Sequence, residues 1–241
     1  YHVSTFLGCV DTASKLMGCA ASNSHVLLQG RVFYLGGLIG STYSDVLEVT
    51  PVHGMVTVKN SAVTNCSIKT KQSRNSNESG GLVGWLSEGG TVENCRVSGM
   101  TTPSNTNSTH VGGLIGYIPE STTAAVKTTV RNCYVEGCTL SGKTSLSATL
   151  GNVVANSRAF SNNYYYNCTL NGDTDGNDLG AVAVTSGLTD GTLVSSLNAS
   201  GNKNWMQGAA SPVLNPDKTG QTEVTVMSYN IYYLVQNDSY P

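Results

Sequence analysis

The chain has 241 residues, 39% of them hydrophobic, which is enough to bury a core. Only 12% are charged, and 13 basic against 15 acidic residues leave no basic surplus to neutralise nucleic-acid phosphates or to attract an anionic membrane. No run of about 18 apolar residues exists to span a bilayer, and a start at Tyr1 with no basic stretch leading into an apolar one reads as a mature or trimmed product.

In chain order, the first signals are two short apolar-Gly-Cys-apolar runs, Leu7-Gly-Cys-Val10 and Met17-Gly-Cys-Ala20. A glycine block follows, Gly36-Gly-Leu-Ile-Gly40. It recurs as Gly80-Gly-Leu-Val-Gly84 and Gly112-Gly-Leu-Ile-Gly116, and in decayed form as Ser147-Ala-Thr-Leu-Gly151. Each copy is trailed by a second block: Val63-Thr-Asn-Cys-Ser-Ile68, Val92-Glu-Asn-Cys-Arg-Val97, Val130-Arg-Asn-Cys-Tyr-Val135 and Tyr165-Tyr-Asn-Cys-Thr-Leu170. The four Asn-Cys pairs lie 29, 38 and 35 residues apart, and the variation falls in polar stretches. Short β-rich runs, glycine punctuation and a period of this length predict one solenoid coil per repeat, with insertions on loops. The two N-terminal runs read as truncated second blocks in which Gly replaces Asn.

Strict alternation in the second block would put Val92 and Asn94 on one face and Cys95 and Val97 on the other. An Asn in the left-handed region repairs the phase, because Asn tolerates positive φ and turns the chain by one residue. The expectation is one internal column of Cys66, Cys95, Cys133 and Cys168, with Asn65, Asn94, Asn132 and Asn167 stacked at the bend as an amide ladder. The seven cysteines form no CxxC pair and read as buried, reduced, small hydrophobes. Outside them, Glu93 is predicted beside Arg131 and Arg96 beside Tyr134, as surface pairs of small energetic weight.

The residue after each glycine block is Ser41, Trp85, Tyr117 or Asn152. A row that admits Ser and Asn as readily as Trp and Tyr is predicted to face outward, which leaves Trp85 and Tyr117 exposed and adjacent on successive coils. Such rings can hold sugar rings by apolar contact. The alternative is that they cover the groove left by the glycine strand.

Past Gly172 the repeat stops. The sequence divides into a solenoid over residues 1–172 and a capping region over 173–241. A short helix is predicted within Thr189 to Leu197, capped by Thr189 or Thr192, with Trp205, Pro212, Val213 and Leu214 packed over the last coil. Asn171-Gly-Asp-Thr-Asp-Gly176 matches the start of a calcium loop, giving Asn171, Asp173, Asp175 and Asp178 as candidate ligands, although Val182 stands where the bidentate Glu belongs. An Asp/Gly-rich turn is the competing reading. Alternation from Thr222 to Tyr233 predicts a strand. Its Val226-Met-Ser-Tyr-Asn-Ile231 resembles the opening strand of the endonuclease/exonuclease/phosphatase superfamily, where the Asn, here Asn230, assists a metal; none of that family's acidic and histidine partners follows.

The Gly-Gly-Leu-Val-Gly block with its trailing Asn-Cys resembles the GLUG-motif repeat family of bacterial surface and secreted proteins, over roughly residues 32 to 172. The expected fold is all-β, a right-handed parallel β-helix-like solenoid with a small C-terminal cap containing a short helix. The resemblance implies an extracellular or cell-surface location, and a stalk-like or adhesin-type module often found in gut Bacteroidetes as part of a larger surface protein. It transfers no catalytic residue.

β-Helix polysaccharide lyases and glycosidases need paired carboxylates, or a carboxylate-bound calcium with a basic residue nearby. Glu78, Glu88, Glu93, Glu120 and Glu136 do not recur at one row and read as a solvated face. His2, His25, His53 and His110 show no ligand spacing and read as surface or loop residues. The sequence therefore points to a non-enzymatic module whose partner is a glycan or a host or bacterial surface protein, with no cofactor unless the Asp-rich turn takes calcium. A carbohydrate-active β-helix enzyme is the rival reading.

Overall fold

The computed structural model describes residues 2–10, 13–28, 34–42, 55–70, 77–102, 108–119, 127–142, 145–153, 158–171, 180–199 and 201–219. The chain winds through five coils. In the third, Asn77–Gly80 and Val83–Trp85 are joined by a glycine turn, Thr91–Glu93 and Arg96–Ser98 follow, and Thr101 makes the last contact. Each strand lies parallel to its counterparts in the coils on either side, so the chain builds stacked parallel sheets running along the solenoid. The first sheet holds His2–Ser4, Tyr34–Gly36, Asn77–Gly80, Ser108–Gly112 and Ser145–Ser147, and the second holds Leu7–Cys9, Ile39–Ser41, Val83–Trp85, Ile115–Ile118 and Leu150–Val153. A fifth, discontinuous sheet pairs His25–Leu28 with Ser67–Thr70 and Thr139–Leu140 with Thr169–Leu170, bridged through Thr101. The fold is the expected parallel β-helix-like solenoid. No helix among the described residues is long and apolar enough to cross a membrane.

The core is a set of inward rows. Val58, Val92 and Val130 stack in the third sheet, made of Lys15–Met17, Thr57–Lys59, Thr91–Glu93, Thr128–Arg131 and Arg158–Ser161. Val63, Val97 and Val135 stack in the fourth, made of Ala20–Ser22, Ala62–Thr64, Arg96–Ser98, Tyr134–Glu136, Tyr164–Tyr166 and Val182–Ala183; all six valines are fully buried. Burying each such side chain is worth about 1.5–3 kcal/mol.

Two corners flank the fourth sheet, and both turn on left-handed residues. Asn60, Asn94, Asn132 and Asn162 occupy the first, preceded by Gly18, and Asn23, Asn65, Gly99, Gly137 and Asn167 occupy the second. Every asparagine predicted at positive φ has it, between 50° and 54°. The single cysteine column, however, is two. Cys19, Ser61, Cys95 and Cys133 follow the first corner, and Cys66, Met100, Cys138 and Cys168 follow the second. Each coil makes the same apolar-x-Asn/Gly-x turn twice, so the sequence blocks at Asn65 and Asn167 aligned with the wrong corner of their neighbours. All seven cysteines are thiols. Five are buried, Cys9 is exposed and Cys19 is partly buried. Burial pushes the Cys66 and Cys133 thiols up from their ordinary pKa. The expected ladder of Asn65, Asn94, Asn132 and Asn167 is likewise divided between the two corners, and the amide–amide hydrogen bond found at the first runs from Asn162 Nδ2 to Asn132 Oδ1 at 3.2 Å.

The N-terminal run Met17-Gly-Cys is a corner, as expected. Leu7-Gly-Cys is not. Leu7 pairs with Ile39 and Cys9 with Ser41, so this run is a copy of the glycine block's second strand.

The C-terminal region contains the predicted helix, at Thr192–Leu197, with Leu193 and Leu197 buried. Its N-cap is Gly191 at φ 84° rather than a threonine, and Asp190 Oδ1 accepts the Thr192 N–H at 2.9 Å. The region covers the flank of the solenoid more than its end. Trp205, Leu193, Leu197 and Leu214 bury Tyr134 on the outer side of the fourth sheet, and Trp205 Nε1 donates to the Asn132 carbonyl at 3.2 Å. Val182–Ala183 adds one strand beyond Tyr164–Tyr166. Arg96 stands beside Tyr134 in register, as expected, but Tyr134 is not a surface residue and the ion pair of Arg96 is with Glu136. The Thr222–Tyr233 strand with Asn230, and the candidate ligands Asp173, Asp175 and Asp178, lie outside the described residues.

Candidate functional site

The glycine block is a narrow arch. The first-sheet strand enters, turns at the glycine pair and returns as the second-sheet strand, with backbone packed on backbone. A Cβ on Gly81 would sit 2.0 Å from the Gly113 carbonyl oxygen of the next coil, and one on Gly84 would sit 2.7 Å from the backbone N and O of Leu35. No side chain fits between these strands. Non-glycine residues take this row at the two ends, Ala148 in the last coil and Thr5 in the first, where the Thr5 hydroxyl donates to the Gly37 carbonyl.

With nothing but backbone inside the arch, its side chains collect at the mouth, where the first residue of one strand meets the last of the other. The first sheet contributes His2, Tyr34, Glu78 and His110 in one row. The second contributes Cys9, Ser41, Trp85 and Tyr117. Trp85 and Tyr117 are adjacent on successive coils, as predicted, with ring centroids 4.6 Å apart. They are partly buried rather than exposed, and Ser41 in the same row is fully buried, because rings from the first sheet lean across them. Tyr34 meets Trp85 edge-on at 4.9 Å, His2 lies 4.9 Å from Tyr34, and His110 stacks on Tyr117 at 4.9 Å and 22°. Four rings, His2, Tyr34, Trp85 and Tyr117, thus step through successive coils at about one strand spacing, and His110 lies beside Tyr117 across the arch of the same coil. The Asn152 side chain is not among those described.

Glu78 lies in this row between Tyr34 and His110, only 8% exposed, and faces His110 Nδ1 at 3.1 Å. Burial raises its carboxyl pKa, against the opposing pull of His110. Two sequence expectations fail here: Glu78 is not on a solvated face, and His110 is not an isolated surface histidine. Tyr34, His2, His110 and Glu78 were absent from the sequence-derived site. The signal was available, since Tyr34, Glu78 and His110 each stand two residues before a glycine pair.

The other described glutamates, Glu88, Glu93 and Glu136, are also buried or partly buried. Glu88 and Glu93 are buried. Glu93 sits between Lys59, at 2.7 Å, and Arg131, at 3.1 Å. Burial alone would raise its pKa, but the two cations outweigh it and hold the carboxyl below the ordinary value. Glu136 accepts from Arg96, from the Tyr134 hydroxyl at 3.0 Å and from the Ser211 hydroxyl at 2.9 Å. Among the described residues no cluster of three or more metal-ligating side chains occurs. Asn171 turns the chain at φ 51° and exchanges two 3.0 Å hydrogen bonds between its amide and the Gly142 backbone.

Residues 75–102, of which 77–102 are described and form the third coil, match the family described as the GLUG motif. The chain carries this motif, and the backbone register extends its arch and corners to the neighbouring coils. No curated protein and no solved structure matches the chain.

Proposed function

We propose that this solenoid is a non-enzymatic extracellular or cell-surface module of adhesin type that binds carbohydrate along the ring ladder at the arch mouth. The observation that carries the reading is the run of partly buried rings His2, Tyr34, Trp85, Tyr117 and His110 at 4.6–4.9 Å steps. Partly exposed rings on a rigid backbone offer apolar faces and edges to the C–H faces of sugars, while Glu78 and the imidazoles supply hydrogen-bonding groups. Part of the ladder's role is to close the arch, and the two roles are compatible because only some of each ring is needed for packing. The chain is read as one segment of a larger surface protein, and a surface protein of host or bacterium is the second class of partner. Calcium at Asn171, Asp173, Asp175 and Asp178 is a secondary proposal, checked by calcium titration.

The rival is a β-helix lyase or glycosidase. Glycoside hydrolysis requires two carboxyl groups about 5–10 Å apart, one of them able to act as acid. Glu78, Glu93 and Glu136 each face a histidine or a cation, which favours the binding reading. A glycan array comparing wild type with the Trp85→Ala, Tyr117→Ala double variant tests it, with circular dichroism to verify folding. Binding by the wild type and its loss in a folded variant support the proposal. Equal binding by both removes the ladder as the site. Release of reducing ends or unsaturated products from any glycan would replace it with the enzymatic reading.

A further inference from the structure

The second corner interrupts its own pattern. Asn23, Asn65 and Asn167 stand there in the first, second and fifth coils, but the third and fourth coils carry Gly99 and Gly137. All five residues have positive φ, so the backbone does not distinguish them. What changes is the missing side chain. A Cβ on Gly137 would meet nothing within 4 Å, whereas one on Gly99 would lie 2.5 Å from Asn65 Oδ1, so the open space is at Gly137 and the Asn65 amide forms its wall at Gly99. The result is a shallow, open notch of about 390 Å³ on the outer face.

Its lining is a mixed set of donors and acceptors. The Arg96–Glu136 ion pair takes part, with Ser98 hydrogen-bonded to the Arg96 guanidinium at 3.1 Å. Arg96 Nε is buried with no hydrogen-bond partner among the described residues, so the guanidinium keeps one donor unused. Asn65 and Asn167 contribute amides from the flanking coils, and Tyr166 contributes a partly buried ring. Ser211 of the C-terminal region donates to Glu136 and fixes the acid from behind. The one basic and one acidic group cancel, which disfavours phosphates and strongly charged peptides. A guanidinium, a carboxylate and two primary amides can instead satisfy adjacent hydroxyls, each of which both donates and accepts, while a tyrosine ring covers a C–H face.

We propose that this notch binds one or two units of a neutral sugar, at a site separate from the ring ladder. The corner asparagine is the residue the fold uses elsewhere, so Gly137→Asn refills the notch without asking the backbone for a new conformation. The full 241-residue chain is titrated with glucose, galactose, mannose, xylose and N-acetylglucosamine, and with their disaccharides, using saturation-transfer NMR and calorimetry. The expected result is that at least one of them binds the wild type, that Gly137→Asn weakens that binding at least about tenfold, and that the Trp85→Ala, Tyr117→Ala variant retains it. Asn167→Gly, which keeps the positive φ and removes one amide wall, gives an independent loss should Gly137→Asn fold poorly. Absence of binding by any neutral sugar, unchanged binding in both corner variants, or loss of binding in the ladder variant alone would overturn the proposal. The last outcome would place the sugar on the ladder, so the two sites are distinguished.

Discussion

Gly81 and Gly137 sit on one coil and its neighbour, yet they are glycines for opposite reasons. At the arch, the carbonyl oxygen of the next coil occupies the space a Cβ would need, and the turn cannot be built from any other residue without displacing a strand. At Gly137 the space is open and the conformation is shared with asparagine, so this glycine leaves a gap rather than relieving a clash. The comparison teaches that glycine in this repeat marks structure on one side of the coil and a vacant outer surface on the other. The arch, empty of side chains, gathers its rings at the mouth; the corner, with no side chain at Gly137, opens a notch.

The sharpest break of that comparison is Gly81→Ala. Its Cβ would lie 2.0 Å from the Gly113 oxygen and 2.7 Å from Val97 Cγ1, and overpacking of this severity should cost about 3 kcal/mol or more in urea denaturation. Stability equal to wild type would mean the coils are not packed backbone to backbone.

A second effect is pH-dependent and belongs to the polar flank. Glu93 is held below its ordinary pKa of 4.5 by Lys59 and Arg131. A depressed carboxyl contributes stability that is complete above the unfolded-state pKa and is lost as pH falls through the folded one. Denaturation midpoints should therefore drop as pH is lowered from about 5 toward 2, and Glu93→Gln should flatten that drop. An unchanged slope in the variant would show that the ion pairs are not the source.

Cys95→Ser comes next. Although Cys95 is fully buried, its sulfur lies 3.3 Å from the Glu93 carbonyl and 3.6 Å from that of Val58. Ser61 already occupies this column, and its hydroxyl donates to the Lys59 carbonyl at 2.8 Å. The serine hydroxyl therefore has acceptors, and the cost should be about 1 kcal/mol by chemical denaturation. A loss above about 3 kcal/mol would mean that the hydroxyl is left unsatisfied. The smallest effect is that of Gly137→Asn, whose stability should stay within about 0.5 kcal/mol of wild type by the same measurement.

The architecture was legible in the sequence because repetition amplifies weak signals. Glycine pairs and Asn-Cys pairs recurring together fixed the coil, and the broken alternation around Asn94 was enough to assign a left-handed bend. The register was not legible, because each coil contains two turns of the same chemistry. Val63-Thr-Asn-Cys resembles Val92-Glu-Asn-Cys in sequence, yet it pairs with Val97-Ser-Gly-Met. Half of the site was legible: Trp85 and Tyr117 follow from the residue after the glycine block. Tyr34, His110 and Glu78 did not follow, because bringing them to the rings requires knowing that the arch folds its two strands backbone to backbone. Charge was misjudged for a related reason. Glu93 meets Arg131 as the register predicted, but its second partner Lys59, and the His110 that faces Glu78, lie one coil away and were missed.

The central functional claim is that the ring ladder receives a ligand rather than only closing the arch, and the two tryptophans offer a direct test. Trp85 lies in the ladder, whereas Trp205 is buried against Tyr134 with its indole N–H on the Asn132 carbonyl. Their two indole N–H resonances, assigned with Trp85→Phe, can be followed while a glycan selected from the array is titrated into the wild-type protein. The account predicts a saturable shift of the Trp85 resonance with the Trp205 resonance unmoved. A bound glycan that leaves the Trp85 resonance in place would contradict it.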